Sequence, residues 1–187
     1  ELTISLNEGW NLISGISIPL DIIEIQDPDG VIISGTVYGF TSGGYSNAEI
    51  LESGKGYWVR STGFAEILLP GSRDNTKTVS QPVISENLNT LLIRNAEYSR
   101  TLYFGEENQE NELSFSLPPK FEGMEFDVRF SGDTKLCSSD ECVIEVMNDG
   151  QQVTIDFEMN DNENWECVDE SGNVLKCVNF LMIIGDF

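Results

Sequence analysis

The stretch Met124-Glu-Phe-Asp-Val-Arg-Phe130 decides the fold class: Met124, Phe126, Val128 and Phe130 alternate with Glu125, Asp127 and Arg129. Successive side chains of a strand point to opposite faces, so a period of two predicts a half-buried strand, apolar on one face and polar on the other. The pattern returns downstream, where Val153, Ile155, Phe157 and Met159 alternate with Gln152, Thr154, Asp156 and Glu158. It also opens the chain, with Leu2, Ile4 and Leu6 set against Thr3, Ser5 and Asn7, and Leu113, Phe115 and Leu117 make a shorter strand. Turn formers fall between such segments: Asp27-Pro-Asp-Gly30, Ser42-Gly-Gly44, Ser53-Gly-Lys-Gly56 and Asn148-Asp-Gly150. No ten-residue window carries helical spacing. Short strands separated by glycine turns predict an all-β chain of antiparallel β-sandwich modules.

The chain has 187 residues, enough for one large or two small domains. A polar break at Pro70-Gly-Ser-Arg-Asp-Asn-Thr-Lys-Thr78 divides it. The expected organisation is a first β module over 1–70, a linker over 71–84 and a second β domain over 85–187.

Charge narrows the function. Ten Lys and Arg stand against 32 Asp and Glu, a formal charge of -22. Such a surface repels nucleic-acid phosphates and anionic lipid headgroups, so neither is an expected partner. It suits calcium, whose ligands are hard oxygens, and the Asp/Asn-rich turns are where that ion would sit. The acidic stretch Asn160-Asp-Asn-Glu-Asn-Trp-Glu166 reads as a solvated hairpin tip, with a calcium loop as the competing reading. The chain has no histidine, which removes Ser-His-Asp and Cys-His nucleophiles and His-ligated zinc. Paired-carboxylate chemistry survives that test, yet among 32 acids a pair chosen from sequence means little. No enzyme is expected. No apolar run reaches the roughly 20 residues of a membrane-spanning helix. The longest, Val178 to Ile184, is interrupted by Asn179 and reads as a buried strand. The chain opens on a strand pattern rather than a signal peptide, the expectation for a mature or excised segment.

Four cysteines form two local pairs, Cys137/Cys142 and Cys167/Cys177, and neither has the C-x-x-C spacing of a zinc knuckle. The segment Trp165 to Phe180 is symmetric about Gly172. A turn at Ser171-Gly-Asn173 places Cys167 opposite Cys177 on a hairpin, within disulfide reach. The first pair brackets the polar loop Ser138-Ser-Asp-Glu141. Two local disulfides and an oxidising compartment follow, against the alternative of four reduced, buried thiols.

The first half carries Gly9-Trp-Asn-Leu-Ile13, Val37-Tyr-Gly-Phe40, Gly44-Tyr45 and Leu51-Glu-Ser-Gly-Lys-Gly-Tyr-Trp-Val59. It resembles the "GWNLI…GKGYWV" module of large secreted and surface proteins of bacteria. The second half carries Leu102-Tyr-Phe-Gly105, Leu117-Pro-Pro119 and Phe126-Asp-Val-Arg-Phe130. That is similar to the region following this module in extracellular proteins of the Bacteroidetes–Ignavibacteria type, many of them type IX secretion cargo. The resemblance implies a secreted or cell-surface location and brings no catalytic residues. Trp10, Tyr57 and Trp58 stand beside glycines as large amphipathic bodies. They read as core and corner residues or, alternatively, as a glycan-facing aromatic platform. Lys55, between two glycines, lacks the spacing of a phosphate loop.

The leading expectation is a non-catalytic structural or adhesive module of a secreted or surface protein, extending to an extracellular filament subunit. The alternative is a carbohydrate-binding module of a secreted hydrolase. Its partners would be polysaccharide, other proteins, or further copies of itself joined through the terminal strands Leu2–Leu6 and Phe180–Ile184, against the reading in which both strands pair within their own domain.

Overall fold

Strands dominate the computed structural model, which describes residues 1–41, 43–71, 87–105, 112–160, 165–166, 168 and the backbone of 183–185. The chain is all-β and divides into two units, residues 1–41 with 45–83, and residues 84–187 with 42–44.

The first unit contains β1 (Leu2–Leu6), β2 (Gly9–Ser14), β3 (Leu20–Asp21), β4 (Tyr38–Thr41), β5 (Gly44–Asn47), β6 (Ile50–Leu51), β7 (Gly56–Ser61) and β8 (Ala65–Leu69). A four-stranded sheet runs β2-β7-β4-β5, beside the two-stranded pairs β1-β8 and β3-β6. Alternation sets the registers: Leu2, Ile4 and Leu6 stand opposite Leu69, Ile67 and Ala65. Leu6, Ile25, Leu51, Val59, Ile67 and Leu69 are wholly buried and fill the core. The Asp27-Pro-Asp-Gly30 turn forms as its residues require. Gly30 N–H donates to the Asp27 carbonyl at 3.2 Å, with φ of +67° at the glycine. The Asp27 carboxylate then accepts from the N–H groups of Val31 (3.1 Å) and Ile32 (2.8 Å).

The second unit contains β9 (Asn89–Arg94), β10 (Ser99–Phe104), β11 (Phe126–Phe130), β12 (Leu136–Cys137), β13 (Val143–Asn148), β14 (Thr154–Glu158) and β15 (Ile183–Gly185). One sheet is ordered β12-β10-β9-β14, the other β11-β13-β15. Both fill one core: Leu91, Ile93, Leu102 and Phe104 come from the first, Phe126, Val128, Ile144 and Val146 from the second. Ile155 and Phe157 of β14 pack against it, as their alternation requires. Pairing is antiparallel apart from two short parallel contacts, β10 with β12 and β13 with β15. Each terminal strand therefore has a partner in its own unit, β1 on β8 and β15 on β13.

Two expectations are corrected. Leu113 to Phe115 form a 3₁₀ turn rather than a strand, closed by Ser116 N–H on the Leu113 carbonyl at 3.2 Å. The next residues make a single antiparallel bridge, Ser116 with Thr134, in which Lys135 N–H donates to the Phe115 carbonyl and Leu117 N–H to the Asp133 carbonyl, both at 2.8 Å. Pro118 and Pro119 follow and have no N–H to extend it. The second correction lies in β11, whose polar face is buried too: Asp127 is 4% and Arg129 0% exposed. The segment around Pro118 to Lys120 is fastened to that face. The Arg129 guanidinium donates to the Pro118 carbonyl at 2.8 Å, and Lys120 pairs with Glu145, which stands opposite Arg129 on β13.

Among the described residues no helix is long and apolar enough to cross a membrane.

Candidate functional site

The outer face of the β2-β7-β4-β5 sheet holds the site. Alternation in β2 sends Ile13 into the core and leaves Leu12 on the opposite face, 66% exposed. In β7, Tyr57, Val59 and Ser61 are buried, while Trp58 and Arg60 point the other way and are half-buried. Register aligns this face: Leu12 and Tyr38 both stand opposite Trp58, Tyr38 only 2% exposed, and Trp10 stands opposite Arg60. Trp10 lies 6.0 Å from Tyr38 and edge-on to Trp58 at 6.4 Å between ring centroids. The Arg60 guanidinium lies over the Trp10 ring at 5.8 Å, within cation–π range.

Beside this cluster lies a groove of about 470 Å³. Its walls are Leu12, Phe40, Ile50 and Trp58, with Phe40 44% and Ile50 49% exposed. The Phe40 ring is held edge-on against Tyr45 at 5.4 Å. Its polar end is the turn from Glu52 to Lys55. Gly54 makes that turn with φ of +76°, a conformation that favours glycine. Tyr57 reaches it from beneath, its hydroxyl accepting the Glu52 N–H at 2.7 Å. Lys55 and Glu52 form an ion pair at the rim, with side chains 61% and 53% exposed. The hydrogen bond and charge of Glu52 raise the Lys55 ammonium pKa above its usual value. Gly15 N–H donates to the Lys55 carbonyl at 3.1 Å and ties the turn to the end of β2.

The three aromatics singled out in the sequence part company here. Tyr57 is 4% exposed; its ring belongs to the core and only the floor of the groove. Trp58 is a groove wall, and Trp10 shares its face but packs outside the groove lining. Leu12 and Phe40 were not singled out, although the Gly-Trp-Asn-Leu-Ile alternation already places Leu12 on the Trp10 face, away from Ile13. An apolar side chain on the polar side of a strand was the available signal.

The Cys137–Cys142 disulfide is formed, with Cα atoms 6.1 Å apart, and closes the Ser138–Glu141 loop between β12 and β13. Cys167 and Cys177 lie outside the described residues. So do 161–164 of the acidic stretch, but its flanks are fastened down. Asn160 N–H donates to the Asn89 side chain at 2.7 Å, and Trp165 packs edge-on to Phe104 at 5.2 Å. Among the described residues no group of three or more His, Cys, Asp or Glu side chains is placed to hold a metal ion.

Compared with family models, curated proteins and solved structures, the chain matches none.

Proposed function

We propose that this chain is a non-catalytic adhesive module of a secreted or cell-surface protein, built from β-sandwich units, with the first unit's groove as its binding face. The groove carries the reading: Leu12, Phe40 and Ile50 hold apolar surface in solvent on a chain of charge -22. A molecule this acidic has ample means to stay soluble, so an exposed apolar cluster walled by aromatic rings reads as a contact surface. The Cys137–Cys142 bond supports an oxidising, extracytoplasmic location. The "GWNLI…GKGYWV" resemblance supports the same placement.

Retention on surfaces tests this. Beads coated with the chain should be held by bacterial envelopes or secreted matrix, and the double substitution Leu12→Ala/Phe40→Ala should release them. Both side chains are exposed, so the variant should fold. Absence of retention, or retention indifferent to the two substitutions, would count against the reading.

A further inference from the structure

From the make-up of the groove we infer that its ligand is a neutral saccharide, seated with a ring face against Phe40 and Trp58 and its hydroxyls on the Glu52–Lys55 pair. The inference rests on the adhesive reading and names the ligand class for the same groove.

Three features converge on that class. At about 470 Å³ the groove lies within the roughly 300–1,000 Å³ usual for small-molecule sites. Its walls are mainly apolar, with Thr41, Ser46 and the Glu52–Lys55 pair as polar groups among them, so it fits a ligand having flat C–H faces and hydroxylated edges. Phe40 and Trp58 are held by edge-on contacts to Tyr45 and Trp10, which presents their rings with little side-chain freedom left to lose.

Charge then selects among saccharides. Lys55 and Glu52 cancel each other within the groove, leaving it no net charge to offer an ion. Around it, a chain of charge -22 repels any polyanion, so uronate and sulfated polymers are disfavoured. The ion pair supplies a carboxylate to accept and an ammonium to donate, the combination that holds vicinal hydroxyls. Charge-assisted hydrogen bonds of this kind are about twice as strong as neutral ones.

Calorimetry and tryptophan fluorescence on the intact chain decide the matter. The probes are neutral oligosaccharides (cello-, xylo- and manno-series), chitosan oligomers and oligogalacturonates. A neutral series should bind and perturb the fluorescence. Phe40→Ala should weaken it about tenfold or more, the equivalent of 1.4 kcal/mol. Glu52→Gln should weaken it while leaving the unfolding midpoint unchanged, and Phe64→Ala, an exposed aromatic outside the groove lining, should do nothing. Preference for oligogalacturonates, or neutral binding unaffected by Phe40→Ala, would overturn the inference. If no sugar binds but the beads are still held through Leu12 and Phe40, the ligand class is wrong and the adhesive reading stands. If neither sugar nor surface is bound, both fail.

Discussion

Arg129 donates from Nε to the Asp127 carboxylate at 2.5 Å, two positions back along β11, with both side chains buried on the same face of the strand. Its Nη1 also reaches Pro118 O at 2.8 Å and Asp133 Oδ1 at 2.7 Å. Asp133 holds φ of +57°, a left-handed backbone that aspartate tolerates better than most residues. Burial depresses the guanidinium pKa, and the hydrogen bonds and charges of Asp127 and Asp133 more than offset it. Nη2 is buried with no hydrogen-bond partner, so the network is held at some cost.

Removing one member of this network should therefore be expensive. Arg129→Met leaves Asp127 buried without its counter-charge, and breaking such a pair costs about 3–5 kcal/mol. Arg129→Met/Asp127→Leu removes both charges and should recover part of that loss. Urea unfolding measures all three proteins. A cost under about 1 kcal/mol for Arg129→Met would mean that the pair is solvated rather than buried.

The same pair marks where sequence reading stops. Alternation identified β11, β14 and β1 because one apolar face is enough to define a strand. It assigned Asp127 and Arg129 to solvent because the segment that covers them, around Pro118 to Lys120, comes from outside the strand. Leu113, Phe115 and Leu117 also alternate, but Leu113 to Phe115 turn as a 3₁₀ element and two prolines stop the pairing after the single Ser116–Thr134 bridge. In the groove, the Glu52–Lys55 turn was legible from Gly54 and Gly56. That Leu12 stands beside Trp58, and Trp10 beside Arg60, is fixed by the β2–β7 register, which couples positions more than forty residues apart.

The Cys137–Cys142 bond closes a short loop, separation five. The chain-entropy estimate for a loop of this size is about 2 kcal/mol. Cys137→Ser/Cys142→Ser should lower stability by that order and leave saccharide binding unchanged, since the groove lies wholly in the first unit. Thermal unfolding of the oxidised protein against the variant checks the first part. Calorimetry checks the second, and lost affinity in a folded variant would contradict it.

Lys135 offers a pH signature. Its backbone is bonded on both sides, N–H to Phe115 O at 2.8 Å and carbonyl to Tyr103 N–H at 2.7 Å, which fixes the residue in place. Burial pushes its ammonium pKa down to about 8 from the ordinary 10.5. Between those two values the unfolded chain holds a proton that the folded state has released, so this residue's contribution to stability rises with pH across that window. Below about pH 8 both states are charged and the full burial cost is present. Lys135→Met should thus be more stable than the natural chain at pH 7, with the difference shrinking as pH approaches 10.5. Denaturation at matched ionic strength measures the difference, and a gap that stays constant or widens would refute the account.

Gly15 provides the sharpest link between fold and groove. It forms a parallel bridge to Ser53, and its N–H holds the Lys55 carbonyl. A Cβ at this position would sit 2.1 Å from the Glu52 carbonyl oxygen and 2.8 Å from its carbon. Both are backbone atoms with no rotamer to yield, so Gly15→Ala must push the turn away from β2. Overpacking of this kind costs about 1–3 kcal/mol. Because the turn carries Glu52 and Lys55, the displacement should also weaken saccharide binding. Gly63→Ala is the matching control: a Cβ there meets nothing within 4 Å, so stability should hold or rise slightly. Unfolding midpoints and calorimetric affinities for the two variants, measured side by side, separate the effects. Equal behaviour of the two alanines would show that the turn tolerates displacement and that Gly15 does not position the polar end of the groove.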